Sequence, residues 1–167
     1  MADVSNLTEA LLVAGSPFKK ISDHYQDQRK RADVLTFIQN QISNSHCLED
    51  EDWPKLYQLL LQSVNDSNYK VVINAISCIE SLVTNVGSPV CLYIEATLAE
   101  LYIKLGDTKD GVRNKMLELL QTCFTVMTPQ KAFDKLSEAF SHNNWRIKQS
   151  VPFQSDDILI ELGYIVV

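Results

Sequence analysis

The chain has 167 residues, 46% of them hydrophobic, and carries 15 basic against 21 acidic side chains for a net charge of −6. That apolar fraction supports a buried core and excludes disorder for the bulk of the chain; the acidic balance argues against a nucleic-acid binder and against attachment to anionic membranes through overall positive charge. With five glycines, no G-x-G-x-x-G and no G-x-x-x-x-G-K-[ST], there is no phosphate-cradling loop, and no apolar run approaches the ~18 residues of a membrane span.

Taken in chain order, the N-terminus carries Asp3 and Glu9 and lacks a basic start, so it does not read as a signal peptide. A first helix runs through Ala32, Leu35, Ile38 and Ile42. Glu49 to Asp52 is a run of four acids, read as a solvated stretch favoured by the following helix dipole in preference to a metal site. Asp52-Trp53-Pro54 opens the next helix, through Leu56, Leu59, Leu60 and Val64. From 71 to 86, Val71, Val72, Ala75, Ile76, Ile79, Leu82, Val83 and Val86 form the stripe of a helix with one buried face. Gly87-Ser88-Pro89 starts a helix through Val90, Ile94, Leu98, Leu101 and Leu105. The stretch 112–127 repeats the stripe with Val112, Met116, Leu119, Leu120, Cys123 and Met127, and Thr128-Pro129 opens a shorter helix through Phe133, Leu136 and Phe140. The body is all-α.

The cysteines, at 47, 78, 91 and 123, match no zinc or redox spacing. Cys78 and Cys123 fall on apolar helical faces, where a reduced thiol behaves as a small hydrophobe, and the chain reads as cytosolic. His24, His46 and His142 lie far apart, with no acid or nucleophile partner nearby in sequence. Catalysis is not expected, nor any cofactor or metal.

Three short blocks align without gaps: Asp66-Ser67-Asn68-Tyr69-Lys70-Val71-Val72, Asp107-Thr108-Lys109-Asp110-Gly111-Val112-Arg113 and His142-Asn143-Asn144-Trp145-Arg146-Ile147-Lys148. Each is a polar turn followed by the start of a helix, at offsets of 41 and 35 residues, and a fainter copy begins 39 residues earlier at Asp27. Each period holds a helix, a polar turn and a second helix, the mark of a HEAT or armadillo type α-solenoid. In such a stack the turns project along one edge. The stretches 27–34, 66–73, 107–114 and 142–149 hold 8 basic and 5 acidic residues, whereas the remainder carries −9. A basic edge of this kind suits an acidic protein surface. Asp66 and Asp107 read as helix caps, and Val71, Val112 and Ile147 as core.

These blocks, in the contexts Asn65 to Val72, Lys104 to Arg113 and Phe140 to Lys148, resemble the successive intra-repeat loops of a TOG domain, with the N-terminal TOG of the CLASP family of microtubule-associated proteins as the nearest pattern. The likeness runs from about 52 to 149 and more weakly from about 20. It implies a solenoid of HEAT-like repeats whose loop edge binds αβ-tubulin or microtubules and regulates microtubule dynamics. It also implies a cytoplasmic, cytoskeletal location including the spindle and kinetochore, and a monomer without nucleic-acid or membrane partners. By position, the tubulin-binding candidates are Arg29, Lys30 and Arg31 in the first loop and Asn68 and Lys70 in the second. Lys109 and Arg113 follow in the third loop, and Asn144, Trp145, Arg146 and Lys148 in the fourth. Trp145 is either an interface anchor or a pin holding its loop to the core.

Two departures from the family pattern stand out. Many TOG domains carry a tryptophan in the first loop, where this chain has Gln28-Arg29-Lys30-Arg31, so contact there is expected to be electrostatic and salt-sensitive. A full TOG domain has about six repeats; residues 1–149 supply three helix pairs and the start of a fourth, an incomplete domain. Residues 150–167 read as a divergent tail: Pro152 interrupts the helical pattern, and Ile158 to Val167 is apolar and strand-like.

Overall fold

A computed structural model describes Tyr25, Asp27 and residues 29–44 and 53–150. The helices are α1 (Arg31–Asn44), α2 (Trp53–Val64), α3 (Tyr69–Val86), α4 (Ser88–Tyr102), a 3-10 turn (Ile103–Gly106), α5 (Asp110–Val126), α6 (Pro129–Phe140) and α7 (Trp145–Ser150). No strand occurs among the described residues, and no helix there is long and apolar enough to cross a membrane. The acidic run 49–52, His24, His46, Cys47 and the tail beyond Ser150 lie outside the described residues.

The chain divides within α3 into two compact units, between Cys78 and Ile79. In the first, the apolar stripes of α1 (Val34, Leu35, Ile38, Ile42), α2 (Leu56, Tyr57, Leu60, Val64) and the start of α3 (Val71, Val72, Ala75, Ile76) are all buried. Each such aliphatic side chain contributes about 1.5–3 kcal/mol relative to exposure. Polar groups in this core are satisfied locally: Ser63 Oγ accepts from Tyr25 Oη at 2.6 Å and donates to the Leu59 carbonyl at 2.6 Å. Burial raises the Tyr25 phenol above its ordinary range, keeping it a donor. Asn74 Nδ2 donates to the Ala32 carbonyl at 3.0 Å, tying α3 to α1.

In the second unit the core is made by Ile79, Leu82 and Val83 of α3, Ile94, Leu98 and Leu101 of α4, Leu105 of the 3-10 turn, Met116, Leu119, Cys123 and Phe124 of α5, and Leu136 of α6. Gly87 takes a positive φ of 74°, which lets the chain reverse between α3 and α4 without a Cβ penalty. Pro89 and Pro129 occupy the first turns of α4 and α6, where no N–H is needed. Tyr102 Oη donates to the Lys135 carbonyl at 2.8 Å, and Lys131 pairs with Glu95 at 2.9 Å, so α6 lies against α4. Cys78, Cys91 and Cys123 are buried and reduced; burial pushes the Cys78 thiol up to about 12 and raises the other two as well.

Two expectations are corrected by the packing. The helix expected to run through Leu105 ends at Tyr102 and tightens into the 3-10 turn, which keeps Leu105 fully buried. Phe133 and Phe140, read as part of an apolar stripe, are 50% and 41% exposed, and α6 buries Ala132, Leu136 and Ala139 instead.

Candidate interaction loops

All four sequence blocks build the same turn. The first residue of each accepts a hydrogen bond on its side chain from the backbone N–H two positions on: Asp27 Oδ1 from Arg29 at 3.0 Å, Asp66 Oδ1 from Asn68 at 2.8 Å, Asp107 Oδ1 from Lys109 at 2.9 Å and His142 Nδ1 from Asn144 at 3.1 Å. The imidazole of His142 takes the place of a carboxylate as acceptor and so removes a negative charge from the fourth turn. The stretch 142–149 accordingly contains Arg146 and Lys148 and no acid.

In the second and fourth blocks the side chain of the third residue, not of the first, caps the following helix. Asn68 accepts from Lys70 N at 3.1 Å and Asn144 from Arg146 N at 3.0 Å, each through Oδ1, while Lys109 stands at the N-cap of α5. The expectation that Asp66 and Asp107 cap the helices is thereby shifted by two positions: they close the turns. An asparagine cap contributes about 1 kcal/mol, so Asn68 and Asn144 each have a structural occupation.

The candidate cations separate into two groups. Arg31 is 23% exposed, and its Nη1 meets Asp66 Oδ2 at 2.6 Å, the Asp66 side chain being only 7% exposed. Its Nε donates to the Tyr25 carbonyl at 3.0 Å and its guanidinium lies 5.2 Å from the centre of the Tyr25 ring. Burial works to raise the Asp66 carboxyl, but the Asn68 N–H and the Arg31 guanidinium outweigh it and hold the group below its ordinary range. Arg31 thus joins the first and second turns. Arg113 is similarly folded back, Nη1 on the Asp107 carbonyl at 2.7 Å and Nη2 on Asp110. Lys30 sits in a solvent-exposed pair with Asp27 at 3.7 Å. Arg29, Lys70, Lys109, Arg146 and Lys148 are exposed.

The third and fourth turns are brought together in the second unit. Gly106 approaches Asn144 so closely that a Cβ on it would lie 2.6 Å from Asn144 Nδ2, and Ile147 is fully buried behind them. The result is a cleft of about 390 Å³ lined by Thr108, Asp110, Arg113, Trp145, Arg146 and Gln149. Trp145 is 64% exposed with the Arg146 guanidinium 5.6 Å from its ring, so it is not a pin to the core. Among the described residues no group of His, Cys, Asp and Glu side chains is arranged to hold a metal ion.

No family model matches the chain. It is 33% identical over 89 residues to CLIP-associating protein 1-B of Xenopus laevis and 27% identical over 120 residues to the CLIP-associating protein of Drosophila melanogaster. These matches take in 53% and 70% of this chain but only 6% and 8% of the relatives' lengths. The crystal structure of the MAST/Orbit N-terminal domain superposes with a TM-score of 0.73 at 25% identity, over 82% of this chain and 62% of that one. In sequence and fold the chain is therefore similar to the N-terminal TOG domain of the CLASP family, and its fold is that of a HEAT-like helical solenoid.

Proposed function

From this similarity we propose that the chain is a tubulin-binding module that regulates microtubule dynamics through the loops of its helix pairs. The observation that carries the reading is the turn built four times over at the block positions, whose exposed cations include Arg29, Lys70, Lys109, Arg146 and Lys148. The relatives, as CLIP-associating proteins, support a microtubule-associated role rather than an enzymatic one. Tubulin is acidic, and exposed cations held on a rigid turn meet such a surface at little ordering cost. Trp145 beside Arg146 adds an aromatic anchor of the kind that dominates protein interfaces. Arg31 and Arg113 act differently, holding the loops in shape, as do the caps Asn68 and Asn144.

The reading is tested by co-elution of the protein with soluble αβ-tubulin on a sizing column across a salt series. Attraction between exposed charges is screened over about 8–10 Å at 0.1–0.15 M salt, so complex formation is expected to weaken progressively as salt rises. Absence of co-elution at low salt, or a complex indifferent to salt, would refute it; the second outcome would favour a scaffold that binds through helix faces.

A further inference from the structure

The α4 helix is apolar on two opposite sides. Its buried side holds Val90, Ile94, Leu98 and Leu101. At about 100° per residue, Leu92, Ala96, Ala99 and Ile103 fall about 150° around the helix from the middle of that side. They form one row, at spacings of four, three and four residues. Leu92 is 63% and Ile103 is 57% exposed, and both alanines are exposed as well.

The neighbouring helices of the same unit are built otherwise. On α5 the outward row of the same spacing is Asn114, Glu118, Gln121 and Thr125, and α6 turns Gln130, Asp134 and Ser137 outward. A helix with one buried face carries polar residues on the other, whereas a helix apolar all round is one that is covered all round. Nothing in this unit covers the row. α6 reaches α4 through Lys131 on Glu95 and through the Lys135 carbonyl on Tyr102, both on one flank of it.

Shape and charge select the occupant. A row at this spacing is the seam that another α-helix fills: Leu92 and Ala99 take the d positions of a heptad, and Ala96 and Ile103 the a positions. The two alanines between Leu92 and Ile103 leave a shallow saddle that admits large apolar side chains and lets a second helix axis come close. The flanking g and e positions are Glu95 and Glu100, and α4 contains no basic residue. Glu95 is joined to Lys131 at 2.9 Å, whereas Glu100 is exposed and has no ion pair among the described residues. The α4 of a second copy offers Glu100 no base in either direction, and in a parallel pair it sets Glu100 against Glu95. We propose that the row Leu92–Ala96–Ala99–Ile103 is a docking face for an amphipathic helix of a partner protein, one with large apolar side chains along its seam and Lys or Arg beside them. None of the loop cations belongs to this face.

The test is fluorescence anisotropy of two labelled three-heptad peptides titrated with the full chain at about 0.1 M salt. Both carry Leu at a and d; one carries Lys at e and g, the other Glu. Saturable binding of the Lys peptide is expected, at least 10-fold tighter than that of the Glu peptide. Because Leu92 and Ile103 are exposed, L92S/I103S should keep wild-type helical circular dichroism and bind the Lys peptide at least 10-fold more weakly. A second variant, E100K, keeps the row intact and should narrow the preference for the Lys peptide several-fold. No binding of the Lys peptide, equal binding of both peptides, or affinity unchanged in either variant would overturn the proposal. A wild-type dimer in sedimentation velocity that L92S/I103S dissociates would overturn it in favour of a second copy as the occupant.

Discussion

Replacing Arg31 with alanine separates a cation that builds the loops from one that uses them. The substitution removes the 2.6 Å contact to Asp66 Oδ2 and the 3.0 Å bond to the Tyr25 carbonyl, and leaves a carboxylate that is only 7% exposed with the Asn68 N–H and the Ser67 side chain but no cation. Breaking a fully buried pair costs about 3–5 kcal/mol. Arg31 is itself 23% exposed, so water can replace part of what it supplied, and a loss of about 2–3 kcal/mol is expected. With a urea m-value of about 1–3 kcal/mol/M, the midpoint should fall by roughly 0.7–3 M. A double-mutant cycle with Asp66→Ala should return a coupling of about 1–2 kcal/mol, because the second substitution removes the stranded charge. The pH dependence has a definite sign. A carboxyl held low in the fold stabilises it above the unfolded value of about 3.9, and that contribution is lost as pH falls through the lower folded value. The rise in stability between strong acid and about pH 5 should therefore shrink in R31A. The assay is urea unfolding followed by helical circular dichroism. A cost under about 0.5 kcal/mol, the range of an ordinary surface substitution, would refute the pairing as a structural joint.

Three further outcomes follow from the same geometry. Trp145→Ala should change stability by no more than about 0.5 kcal/mol, since the side chain is 64% exposed, but weaken tubulin binding at least 10-fold; unfolding curves and an affinity titration separate the two. Gly106→Ala drives a methyl group into Asn144 Nδ2, so the Asn144 side chain must move and its cap on Arg146 N–H is strained; the cost should be up to about 1 kcal/mol, read as a lowered melting temperature, and wild-type melting would contradict a cap held against Gly106. Cys78, Cys91 and Cys123 should resist a thiol reagent in the folded protein and react together on unfolding, because burial keeps all three protonated as well as inaccessible; mass spectrometry of labelled peptides would detect the difference.

Much of the helical order was legible because its signals are local. The stripe from Val71 to Val86 marks α3 to within two residues, and Pro89 and Pro129 mark the starts of α4 and α6. The block alignment was legible too, and its physical content is the repeated side-chain-to-backbone bond. Less visible was that His142 fills an aspartate's place, since only the alignment equates an imidazole nitrogen with a carboxylate oxygen. Harder still was the difference among the cations. Arg31 and Asp66 are 35 residues apart and each reads as a surface residue; only the packing of α1 beside the second turn buries them. Arg113 looks like an interface arginine until its guanidinium is seen on the Asp107 carbonyl and Asp110. Helical periodicity likewise gives Phe133 and Phe140 an apolar face but says nothing of whether a neighbour covers it.

The most direct measurement is the dissociation constant for soluble αβ-tubulin of the wild-type chain beside R146E/K148E, at one fixed salt concentration, with helical circular dichroism recorded for both. Arg146 and Lys148 are exposed and lie in the one block without an acidic residue, so their reversal should leave the fold intact and weaken binding at least 10-fold. Equal affinity for the two proteins would contradict the claim that the loop cations carry the interaction.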